Sequence, residues 1–252
     1  MDKEYTKPEQ EALMAEEALR TGLIAFRDQG TSVGMSVPSL LDAVNANMLP
    51  IRKLYADYEC AAMEMETKFK VLDTRFSVEY DRNPIESIKT RIKSPESILR
   101  KMDARGYSMN MESLTENVRD IAGVRVICSF VDDLYRLAEY LLSQDDIILV
   151  EKKDYIANPK PNGYRSLHLI VKVPIFTEKG KKWMYVEVQL RTIAMDFWAS
   201  LEHKLRYKKE IPSEEMEELS KELYDCAVIS ASLDARMQRV KDRLSERQET
   251  GK

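Results

Sequence analysis

Residues 120–131 read DIAGVRVICSFV, and the fold turns on them. Val124 to Val131 (VRVICSFV) is apolar and β-branched, the composition of a buried strand. Asp132 and Asp133 come next and are placed to cap a helix in which Leu134, Leu137, Ala138, Leu141 and Leu142 form one stripe. Up to this point the apolar period is helical; from residue 120 it changes.

Downstream, Ile147 to Val150 reads as a short strand. Leu167, Leu169, Val171 and Val173 alternate with polar residues and give another. Met184, Val186, Val188 and Leu190 alternate again, with Tyr185, Glu187, Gln189 and Arg191 on the opposite face. A helix over 193–208 is expected to turn Ala194, Phe197, Trp198, Leu201 and Leu205 inward. The tail from Ser213 to about Arg247 is largely helical, with Leu219, Leu223, Val228 and Leu233 as core candidates.

Upstream, residues 8–28 are rich in Ala, Glu and Leu and read as a helix, interrupted by Gly30, Gly34 and Pro38. Ser39 to Asn47 suits a further short helix. From about Leu49 to Tyr80, Ile51, Tyr55, Tyr58, Ala62, Met65 and Phe69 recur at helical spacing, and Asn83-Pro84 closes the element. The segment from Ile85 to Arg105 ends in a helix that Ser94 is placed to cap, with Pro95 at its first position, Glu96 at its positive end and Gly106 as its stop. The order is helices, then strands mixed with helices, then helices. The expected class is α+β: a mixed β-sheet covered by helices, with N- and C-terminal helical arms. Residues 1–47 form a helical extension, 48–210 the main domain, and 211–252 C-terminal helices suited to oligomerisation.

A chain of 252 residues with 44% apolar and 33% charged content is that of a globular protein with amphipathic helices. It has neither a stretch apolar enough to span a membrane nor the pattern of a signal peptide. The three cysteines, Cys60, Cys128 and Cys226, suit neither a disulfide framework nor a zinc site, so a reduced, cytoplasmic setting is expected. The net charge of −4 gives no general attraction for nucleic acid, and RNA binding is not indicated.

Local charge is more informative. Arg91, Lys93, Arg100, Lys101 and Arg105 lie within fifteen residues, and Ser97, Lys101 and Arg105 are spaced four apart beside a helix N-terminus. Such a face can hold a chain of phosphates; equally, it is what the solvated side of a helix looks like. Asp120 stands at the entrance of the first strand and Glu187 in the middle of an apolar one. A carboxylate there is costly unless paired or metal-bound. Together the two would suit Mg²⁺; an ion pair of Glu187 with Arg125 or Arg191 is the alternative. The turn-rich loop KDYIANPKPNGYRSLH (153–168) places Tyr164 among Lys153, Lys160, Arg165 and His168, which suits a stacked purine with its phosphates gripped nearby, or a core aromatic at a strand start. The two histidines, His168 and His203, are too few and too far apart for a His-based metal centre.

The strings TRIKSPES, DIAGVRV, KPNGYRSLH, VEVQLRT and AMDFWASLEHKL resemble, in this order and spacing, the synthetase domain of RelA/SpoT-type enzymes, and most closely the stand-alone small alarmone synthetases. The resemblance covers roughly residues 49–245. It implies a polymerase-β-like nucleotidyltransferase fold and a (p)ppGpp synthetase of stringent-response signalling, which moves the β,γ-pyrophosphate of ATP onto the 3′-hydroxyl of GDP or GTP and releases AMP. Carried over by motif, Asp120 and Glu187 bind Mg²⁺, and Glu187 orients or deprotonates the 3′-hydroxyl. Arg91 and Arg125 sandwich adenine, and Lys93, Ser97, Lys101 and Arg105 hold the ATP phosphates, Arg105 sitting one position away from the family's basic residue. Tyr164 stacks on guanine, Lys153, Lys160 and His168 grip the acceptor phosphates, and Gln189 and Asp196 line the acceptor pocket. Family members activated by their product carry an aromatic where this chain has Ser87, so that regulation is not implied. The resemblance implies a homotetramer; it implies no hydrolase, which needs a His-Asp metal site. Relatives of the fold that act on adenosine nucleotides or tRNA 3′ ends offer a second reading, and a non-catalytic nucleotide or RNA sensor a third.

Overall fold

The computed structural model describes residues 37–79, 82–206 and 213–250. The expected helix at 8–28 and the last residues of the one at 193–208 lie outside the described residues. Helix α1 spans Val37–Glu79, so the two expected helices, Ser39–Asn47 and Leu49–Tyr80, are one. Pro50 lies inside it; a proline removes one backbone hydrogen bond, a local loss that a helix of 43 residues sustains. Tyr55, Tyr58, Ala62, Met65 and Phe69 form its buried stripe.

Strand β1 (Ile85–Ile92) follows, then α2 (Pro95–Ala104) and α3 (Met111–Asn117). The remaining elements are β2 (Ala122–Cys128), α4 (Val131–Leu142), β3 (Ile148–Asp154), β4 (Leu167–Thr177), β5 (Gly180–Thr192), α5 (Ile193–Arg206) and α6 (Ser213–Thr250). The sheet has five strands in the order β1-β2-β5-β4-β3, with β2 and β5 parallel and the other pairs antiparallel. One face of it packs on α1 and α4: Tyr58, Met65, Phe69, Leu134, Leu137 and Leu141 share a core with Val124, Val126, Val186, Val188 and Leu190. The class is α+β with a mixed sheet, as the residue pattern predicts.

Several local expectations are corrected. Strand β1 has no counterpart in the sequence reading, because an edge strand written IESIKTRI alternates too weakly to show period two. Strand β2 ends at Cys128, and Phe130, not an aspartate, is the N-cap of α4. Asp132 and Asp133 lie in its first turn, where the helix dipole favours them. Asp133 is buried in a two-pronged pair with Arg82, both contacts 2.8 Å. Strand β3 continues past Val150 to Asp154, since β4 pairs with its polar residues through the backbone.

The C-terminal helices differ most. In α5, Phe197, Leu201 and Leu205 are exposed, and the buried residues are Met195, Trp198 and Ala199. In α6, Leu219, Val228 and Leu233 are exposed while Ala227 and Asp234 are buried. The two helices meet on a narrow seam of Trp198, Ala199 and Ala227: the Trp198 indole donates to the Leu223 carbonyl at 2.8 Å, and Ser230 Oγ to the Ala194 carbonyl at 3.1 Å.

Candidate active site

The sheet face away from the α1–α4 core is polar, and its register lines up the residues that matter. Lys89 pairs with Arg125, Arg125 with Gln189, Gln189 with His168, and His168 with Lys153, one row across all five strands. Two residues along, Arg91 pairs with Gly123 and Gly123 with Glu187. Period-two alternation puts both rows on one face. Arg91 lies over Gly123: a β-carbon there would stand 3.4 Å from its Cγ and Nε, ordinary contact for a methyl, and anything larger would meet the arginine. Arg91, Gly123, Arg125 and Gln189 line a cleft of about 90 Å³. A wider cleft of about 660 Å³, beside Lys53, Asp57 and Lys182, contains none of the expected site residues, and we place no chemistry there.

Asp120 stands two residues before β2. Lys101 Nζ lies 2.7 Å from its Oδ1 and Lys93 Nζ 3.0 Å from its Oδ2. Burial works against this carboxylate, but the two ammonium groups outweigh it and hold it below its ordinary range. Helix α2 brings Lys101 there: Ser94 caps it by accepting from the Ser97 N–H at 3.3 Å, and Ser94 Oγ donates to Ser97 Oγ at 2.9 Å. Arg105 is the C-cap and is exposed, so the row Ser97–Lys101–Arg105 reaches Asp120 only through Lys101.

Glu187 is mostly buried, its side chain 13% exposed. Its partners are not the arginines first considered. Gln189 Nε2 donates to its Oε2 at 2.8 Å, His168 Nδ1 lies 3.4 Å from its Oε1, and Arg91 Nη2 approaches to 3.8 Å. Burial raises the Glu187 pKa, His168 and Gln189 lower it, and the balance falls below the ordinary value; Asp120 is close enough to push it upward. Along the chain, Asp120 stands three residues before Gly123, the β2 residue that pairs with Glu187. Among the described residues no group of three or more His, Cys, Asp and Glu converges. A cation held by Asp120 and Glu187 would rest on two carboxylates, with water and phosphate oxygens to complete its shell. That donor set fits Mg²⁺ better than zinc.

Arg125 and Arg191 both turn to Asp196, at 3.3 and 2.9 Å from its Oδ1. Arg191, which the sequence offers only as an ion-pair partner for Glu187, pairs with Asp196 instead. Only 6% exposed, it also donates to the Tyr164 hydroxyl at 2.7 Å and to Gln189 Oε1 at 3.2 Å. Its one legible signal was a cation on the same strand face as Glu187 and Gln189.

Tyr164 is half-buried, between the exposed and core alternatives. Its ring packs against the Trp198–Ala227 cluster, and its hydroxyl lies 2.8 Å from His168 Nε2. Lys160 Nζ is 4.8 Å from the ring centroid. Lys153, on the edge strand, pairs with Glu151 at 3.2 Å and stays largely exposed. The site is thus a strip: Asp120 with its lysines, Arg91 and Arg125 about Gly123, Glu187, then Tyr164 with His168 and Asp196.

Residues 90–212 match a family described as the region found in RelA / SpoT proteins. The GTP pyrophosphokinase YwaC of Bacillus subtilis (strain 168) is 42% identical over 184 residues, which is 73% of this chain and 87% of that protein. A crystal structure of the small alarmone synthetase 1 from Bacillus subtilis, bound to its product pppGpp, superposes with a TM-score of 0.70 at 34% identity, covering 77% of this chain and 97% of that one. The same synthetase bound to AMPCPP gives 0.66 at 32% identity, covering 78% and 98%. This chain belongs to the RelA/SpoT family, among its small alarmone synthetases.

Proposed function

We propose that this protein is a (p)ppGpp synthetase, a GTP pyrophosphokinase that transfers the β,γ-pyrophosphate of ATP to the 3′-hydroxyl of GDP or GTP. The observation that carries the reading is Glu187, an ionised carboxylate in mid-strand between an arginine cleft on one side and Tyr164 with His168 on the other. ATP lies with its adenine at Arg91 and Arg125 and its phosphates toward Lys93, Ser97, Lys101 and Arg105. The guanine rests on Tyr164 with its edge toward Asp196 and Gln189, and its phosphates reach Lys153, Lys160 and His168. A carboxylate can accept from guanine N1–H and the 2-amino group, a match that adenine lacks.

Glu187 accepts a hydrogen bond from the 3′-hydroxyl and takes its proton as that oxygen attacks the β-phosphorus. The bond between the β-phosphorus and the α,β-bridging oxygen breaks, and AMP leaves with the electron pair. A carboxylate held below its ordinary range is a weak base, so aiming the hydroxyl counts for more than abstracting the proton. Mg²⁺ bound by Asp120 and Glu187 would supply charge neutralisation on the phosphates. The lysines on Asp120 would then pass to the ATP oxygens.

In our reading residues 48–210 form the synthetase, 1–47 an extension, and 211–252 the C-terminal helices. On α6, Ile229, Leu233, Met237, Val240 and Leu244 are exposed at helical spacing, which supports a homo-oligomer, in our reading a tetramer. We expect a cytoplasmic enzyme without hydrolase activity. No described helix is long and apolar enough to cross a membrane, and the described cysteines are unbridged.

Incubating the pure protein with γ-labelled ATP, GDP and Mg²⁺ tests the reading. The expected products are a labelled guanosine tetraphosphate and an equal amount of AMP. Label released as phosphate with ADP, label passed to adenosine nucleotides or tRNA, or no reaction by folded protein would each contradict it.

A further inference from the structure

Helix α6 reaches the back of the acceptor pocket through one buried carboxylate. Asp234 is 7% exposed, and its Oδ2 accepts from Arg165 Nη1 at 3.2 Å and from Thr192 Oγ1 at 2.9 Å. Arg165 is the neighbour of Tyr164 in the chain. Thr192 ends β5, is fully buried, and its hydroxyl oxygen accepts from the Met195 N–H at 3.1 Å, one residue before Asp196. A single carboxylate oxygen therefore ties the loop that carries the tyrosine to the helix start that carries the guanine-facing carboxylate. Gly163 is pressed on the same helix: a β-carbon built there would come within 2.4 Å of Ala227 Cβ.

We propose that Asp234 is a positioning residue for the acceptor nucleotide, setting the separation between the Tyr164 ring and the Asp196 carboxylate. The proposal rests on the reading of that pocket as the guanine site. Its physical basis is that Arg165 is only 15% exposed, so its cation and the Thr192 hydroxyl have a common anchor that water replaces poorly. Removing the anchor lets the two walls drift apart, and a purine held between them loses contact with one or the other. The donor side meets these groups only through the backbone pair Cys128–Thr192 and through Arg125, 3.3 Å from Asp196, while Lys93 and Lys101 stay anchored on Asp120.

Steady-state kinetics of the full chain, varying GDP and ATP separately, test this. In Asp234→Ala the KM for GDP is expected to rise about tenfold or more, with the KM for ATP within about twofold of wild type. Asp234→Asn keeps an oxygen that can accept and is expected to recover part of the loss. If Asp234→Ala does not fold, Thr192→Val keeps the size and removes only the hydroxyl, with a GDP KM about threefold higher expected. A purely structural role would lower the melting temperature and leave the ratio of the two KM values alone; that result, or an equal rise in both, overturns the proposal. A wild-type protein that transfers no pyrophosphate to GDP overturns the guanine-site reading and the proposal with it. Transfer by wild type with an unmoved GDP KM in the variants overturns the role of Asp234 alone.

Discussion

Arg91 lies across Gly123: the place where a β-carbon would stand is 3.4 Å from both its Cγ and its Nε. The guanidinium lies over the sheet within 3.8 Å of Glu187, at the join of the proposed donor and acceptor halves.

Filling that position tests the donor half. Gly123→Ala adds a methyl at ordinary contact distance and is expected to change little. Gly123→Val suits a strand but drives its methyls into Arg91, and the KM for ATP is expected to rise about tenfold through a lost stacking cation. The KM for GDP stays near wild type in initial-rate measurements. Equal rises in both would remove Arg91 from the donor site.

Tyr164 tests the acceptor half. Truncation to Ala removes a stacking surface worth about 1–3 kcal/mol, so the KM for GDP is expected to rise about ten- to hundredfold. Tyr164→Phe keeps the ring and loses only the hydroxyl that meets His168 and Arg191, so its rise is expected to be smaller. Identical effects from both substitutions would mean that the ring does not stack.

Asp120 gives a pH signature. Burial opposes its charge, yet Lys101 and Lys93 hold its folded pKa below the ordinary value. The unfolded chain therefore takes up this proton at higher pH than the folded one. The stability from the pair is complete above the ordinary carboxylate value of about 4 and is lost as pH falls through the folded value. Urea unfolding without divalent ions is expected to show Asp120→Asn less stable by about 1.5–3 kcal/mol at neutral pH. The gap narrows only below about pH 4. A gap that closed nearer pH 6 would show another group at work.

Gly163 holds the acceptor loop against α6 with a φ of 88°. Gly163→Ala brings both left-handed strain and a clash with Ala227 Cβ, and a loss of about 2–4 kcal/mol is expected in denaturant unfolding. Adding Ala227→Gly is expected to restore the clash's share but not the strain. No recovery would place the whole cost in the backbone.

How far the residues disclose this molecule depends on what each must satisfy. The β5 alternation and the polar run Tyr185, Glu187, Gln189, Arg191 are legible because one face is core and the other a site. The motif strings carry Asp120, Glu187 and Tyr164 by resemblance, and the register then sets Glu187 beside Gly123. Edge strand β1 is not legible, since half-exposed residues obey no clean period. Nor are most of the inward faces of α5 and α6: Phe197 and Leu233 look like core residues, but Trp198, Ala199 and Ala227 make the seam, and buried Asp234 turns to Arg165 and Thr192. Arg191 escapes for a different reason, because its value lies in joining Asp196 to Tyr164, residues far apart in the chain.

The most direct measurement is the uptake of Mn²⁺, a stand-in for Mg²⁺, followed by loss of the free-ion EPR signal in the presence of a non-hydrolysable ATP analogue. With both acidic side chains in place, the protein is expected to bind the ion tightly, and Asp120→Asn and Glu187→Gln are each expected to weaken it at least about tenfold. Wild-type affinity in either variant would contradict a shared metal at the centre of this site.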